Sequence, residues 1–159
     1  MVCGTLYDRD FYSWTQDQAA RLREAGALRL NAGLDWGHLA EEIESMGRSD
    51  RREIRSRLEI LLLHLLKLAW SPDEPPRAGW RETVTEQRRR LQLVLEDSPS
   101  LRGFPAESLA ACWQAACEDC EQALGLAIPT AGDGCPWEVD REILANGWFP
   151  GPHRPVTGE

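Results

Sequence analysis

Between Ile60 and Trp70 the chain reads ILLLHLLKLAW, and a helix through these residues is apolar on every side. A helix of that kind has no solvent face, so it is either the central helix of a domain or a surface packed on a second subunit. At about eleven residues, interrupted by His64 and Lys67, it is too short for a membrane span, which needs about 20. The rest of the chain must supply the elements that cover it.

The preceding residues carry a second amphipathic signal. Asp35 suits a helix N-cap, and Trp36, Leu39, Ala40, Ile43 and Met46 then share one face, with Gly47 read as the stop. A separate helix is expected from Ser49 or Asp50 to about Trp70, with Ile54, Leu58, Leu61, Leu62, Leu65, Leu68 and Ala69 as its core stripe. Glu42 and Glu44 flank the first face but diverge by roughly 160° around the axis, and Glu41 points further out, so EEIE is not one carboxylate cluster. His38 and Glu42 lie at i, i+4 and could pair.

Periodicity predicts further helices over residues 8–25, ended by Gly26, over 78–97, from Pro105 to about Ala127, and over a short stretch near Trp137–Ala145. The buried side of the first is Phe11, Trp14, Thr15, Gln18, Leu22 and Ala25. No run alternates with the period of a strand. The expected fold is all-α, a single-domain bundle of about five to six helices over residues 1–150, with a flexible proline-rich tail over 151–159.

In the 78–97 helix, Trp80, Val84, Leu91, Val94 and Leu95 form the stripe, yet Gln87 falls inside it and Arg88 on its border. Buried polar groups need partners, and Glu42 or Glu44 is the expected carboxylate for Arg88. His64 and Lys67 have a plain reading: a core-edge histidine bonded to a backbone carbonyl, and a lysine whose ammonium reaches water. Glu41, Glu42, Glu44, His64, Lys67, Gln87 and Arg88 make up the candidate polar site.

The 159 residues carry a net charge of −8, which opposes binding to nucleic-acid backbones. The charge is uneven. Residues 1–47 hold four cations against eight carboxylates, 48–90 eleven against seven, and 91–159 three against eleven. Arg48, Arg51, Arg52 and Arg55 form a basic stripe, which the acidic ends of the same chain are expected to neutralise. The N-terminus has no secretory pattern, so the expected location is the cytoplasm, and five cysteines there are expected as free thiols. Cys112, Cys117 and Cys120 share one predicted helix but lack the second pair that a zinc site would want, so no metal and no cofactor is assigned.

Five segments appear in the order LDWGHLAEEIESMGRSDRREIRSRL, LLLHLLK, WRETVTEQRRRL, SPSL and CPW. Together they resemble the bacterial family known as domain of unknown function 29, over about residues 6–150. The resemblance implies an all-helical domain from a bacterium, often a cyanobacterium or proteobacterium, and carries no activity, substrate or cofactor. Asp35, Trp36, Glu41, Glu42, Glu44, His64, Lys67, Trp80, Gln87 and Arg88 match its pattern without assigned roles, and the three helix cysteines lie outside it.

The sequence contains no Gly-rich phosphate loop, no nucleophile elbow and no H-E-x-x-H. The leading expectation is a non-enzymatic module that binds another protein or a second copy of itself, through the all-round apolar segment beside the arginine stripe. The alternative is a metal-dependent, all-helical phosphohydrolase with Glu41, Glu44, Glu118 and Glu121 as ligands.

Overall fold

The computed structural model describes residues 4–29, 33–129 and 131–152, and these contain helices and no strands. The elements are α1 (Leu6–Arg9), α2 (Phe11–Ala27), α3 (Trp36–Trp70), α4 (Arg77–Asp97), a 3₁₀ turn (Pro99–Leu101), α5 (Phe104–Leu124) and a π-helical turn (Val139–Ile143). Contacts group the chain into two compact units, Met1–Ile54 with Leu93–Phe104 and Arg55–Gln92 with Pro105–Glu159. The domain expected over residues 1–150 spans both. Cys3, Asn31, Thr130, His153 and the tail from residue 153 lie outside the described residues.

Unit one is held by short polar side chains at the entrance to α2. Asp10 caps that helix, accepting from Ser13 N–H at 2.8 Å, and also accepts from the Ser100 N–H at 2.6 Å and hydroxyl at 2.9 Å. Ser98, fully buried, donates its hydroxyl to Asp50 Oδ2 at 3.0 Å and accepts from Tyr12 N–H at 3.1 Å. Two serines thus tie the 98–100 loop to α2 and α3.

Two separate helices were expected across residues 35–70, and the structure has one. Gly47 does not stop it. A Cβ at Gly47 would overlap Thr15 Oγ1 and lie 3.1 Å from Tyr12 Cδ2. The residue is small because α2 crosses there, with buried Thr15 turned back onto Tyr12 O at 2.7 Å. An interior glycine costs a helix only about 1 kcal/mol, which neighbouring turns absorb. Ser49 and Asp50, read as caps, therefore sit within α3. Gly26 repeats the device: α2 runs through it to Ala27, and a Cβ there would meet Trp36 Cβ at 2.9 Å.

Unit two contains most of the apolar core. Leu58, Leu61, Leu62, Leu65, Leu66 and Leu68 of α3 are all at most 1% exposed, with Val84 and Leu91 from α4 and Trp113, Ala116, Cys117 and Cys120 from α5 buried as well. The α3 C-terminus leaves carbonyls that no helical N–H can reach, and Arg77 takes two of them, Leu68 O at 2.5 Å and Ser71 O at 3.2 Å. α5 stops at Leu124, short of the expected Ala127, because Gly125 adopts φ 67° and accepts the helix end. The last helix expected near 137–145 is only the π turn, in which Ile143 N–H reaches Glu138 O and Leu144 N–H reaches Val139 O.

Candidate functional site

The seven polar residues read from the sequence divide between the units: Glu41, Glu42 and Glu44 in unit one, His64, Lys67, Gln87 and Arg88 in unit two. Each has its own surroundings. Glu44 is gripped by Arg23 Nη2 at 2.6 Å with Arg48 at 3.5 Å, and Arg23 holds its carboxyl below the usual range. Glu41 and Glu42 are exposed. His38 turns to Asp35 instead of Glu42, its Nδ1 2.5 Å from Asp35 Oδ2.

Arg88 is the largest departure from expectation. It is 3% exposed, and its partners are backbone carbonyls: Nε donates to Ile143 O at 2.8 Å, Nη1 to Trp148 O at 2.8 Å and Nη2 to Glu142 O at 3.0 Å. No carboxylate is needed, because the π turn and the residues after it present several carbonyls that no intrahelical N–H reaches. Burial pushes its pKa down to about 10, so the guanidinium is charged at neutral pH. The Phe149 ring lies 5.5 Å from it and 5.3 Å from Arg81. Trp113, Trp137 and Trp148 continue the contact as an edge-to-face series at 5.4 and 5.8 Å. This fork clamps the segment after α5 onto α4.

The remaining polar groups of unit two are locally bonded. Gln87, half-buried, accepts from Arg57 Nη1 at 3.3 Å. His64 donates Nδ1–H to Ile60 O at 2.8 Å, and burial holds its pKa below the ordinary value, with the Lys67 charge adding to the effect. That is the plain reading of this histidine, with a neutral ring whose other nitrogen is an acceptor. Lys67 is half-buried. Cys112, Cys117 and Cys120 are buried free thiols, each pushed up to about 11 by burial, and they pack as small apolar groups.

Three of the four carboxylates of the phosphohydrolase reading bond other groups, and Glu41 is exposed. Glu44 is paired as above, Glu121 accepts from Ile128 N–H at 2.7 Å, and Glu118 accepts from Gln114 at 3.2 Å. Among the described residues no group of three or more His, Cys, Asp or Glu side chains has the geometry to hold a metal ion. In the arginine stripe, Arg48 reaches Glu44 and Arg51 lies over the Phe104 ring at 4.4 Å.

Exposure picks out different residues. Among the described residues, Tyr7 (53%), Leu28 (74%), Leu34 (51%), Leu39 (39%), Met46 (47%) and Leu93 (49%) are the exposed large apolar ones. All six belong to unit one. The apolar face expected over Trp36–Met46 is therefore only half covered: Ala40 is buried against the unit, while Leu39 and Met46 on its shoulder stand open. By contrast Ile60–Trp70, the segment expected to meet a partner, is mostly buried, with Leu66 at 0%.

An all-α architecture with a clamped C-terminal segment, and with no strand among the described residues, defines the structural class. Within that class the chain belongs to the family described as domain of unknown function DUF29, whose model matches residues 6–149. It is similar to an alpha-helical protein of unknown function from Rhodospirillum rubrum, known from a crystal structure. The two are 27% identical, and the match covers 91% of this chain and 92% of that one with a TM-score of 0.73. No curated protein matches the chain. No helix among the described residues is long and apolar enough to cross a membrane.

Proposed function

We propose that this chain is a non-enzymatic helical interaction module of the bacterial cytoplasm, and that it works through the open apolar residues of unit one. The observation that carries the reading is their distribution: among the described residues, all six exposed large apolar side chains fall in one unit, while the core of the other is buried. Single exposed apolar residues are ordinary, but a concentration in one part of a chain marks an interaction surface. The free thiols are in keeping with a reducing compartment, and the similar protein from Rhodospirillum rubrum supports a bacterial setting. The partner is another protein or a second copy of this chain.

Native mass spectrometry of the untagged protein, purified gently from its own host, tests the reading. A co-purifying protein that crosslinks to a photoreactive residue placed at Met46 supports it. A bound divalent metal or a phosphorylated small molecule, with no second chain, would overturn it in favour of catalysis.

A further inference from the structure

We draw no further inference here: the strongest candidate, the cavity of about 450 Å³ between α5 and residues 131–134, is walled by Trp113, Gln114, Glu118 and Glu121, but its two carboxylates already accept from Gln114 and the Ile128 N–H, the Trp113 Nε1–H that lacks an acceptor among the described residues is sealed from solvent, and nothing else there points to a ligand.

Discussion

Replacing Arg88 with Met keeps most of the buried volume and removes the fork. Three carbonyl oxygens, on Glu142, Ile143 and Trp148, lose charge-assisted bonds of 2.8 to 3.0 Å, and Ile143 is fully buried. A hydrogen bond to a charged group contributes about 1.5–3 kcal/mol net, and an orphaned buried acceptor costs about 1–3 kcal/mol. Against this, the variant no longer desolvates a guanidinium, which returns several kcal/mol. The balance is a loss of about 3–5 kcal/mol, or roughly 6–20 °C in Tm for a chain of this length. Arg88→Lys keeps the charge but not the planar fork, so it should lose nearly as much. Urea denaturation followed by tryptophan emission measures the total, since Trp137 and Trp148 lie in the clamped segment. Hydrogen exchange over residues 139–149 separates local release from global unfolding. A cost under about 1 kcal/mol, with protection of that segment unchanged, would refute the clamp, because the carbonyls would then have found other donors.

Gly47→Ala should destabilise by about 1–3 kcal/mol despite alanine's higher helix propensity, because the added methyl meets Thr15. Adding Thr15→Ala should recover part of the loss, a coupling that a double-mutant cycle in urea measures. His64 has a depressed folded pKa, so the stability it contributes is present above its unfolded value near 6.5 and is lost as pH falls through the folded value. Tm measured from pH 7.5 down to pH 5 should accordingly drop more steeply in the native chain than in His64→Gln. Cys112, Cys117 and Cys120, with thiols at about 11, should resist iodoacetamide at pH 7.5 until denaturant is added, as followed by intact mass.

Helix positions were readable because periodicity is a local property: α4 begins and ends within a residue of its expected span, and the stripe of α3 beyond Asp50 is the stripe that is buried. The errors share a cause. Gly47 was read as a stop because glycine ends many helices, and only the crossing of Thr15, a neighbour distant in sequence, reveals the packing reason. Arg88 was assigned a carboxylate because side chains are visible in a sequence and free carbonyls are not. The all-round apolar run was legible as buried, but what covers it could not be read from one strand of text. The open shoulder at Leu39 and Met46 was legible as apolar and illegible as exposed, since the coverage of a face depends on where its neighbours end.

The Arg88 clamp also sets an order of events during synthesis. The guanidinium sits on α4, but its acceptors lie 54 to 60 residues further along the chain. On a ribosome adding about 5–20 residues per second, Arg88 waits several seconds before Glu142, Ile143 and Trp148 exist to receive it. During that interval the Arg88 guanidinium lacks the three carbonyls that it bonds in the finished fold. A chain broken off before Glu142 would leave the Arg88 guanidinium without the three carbonyls that receive it in the complete fold.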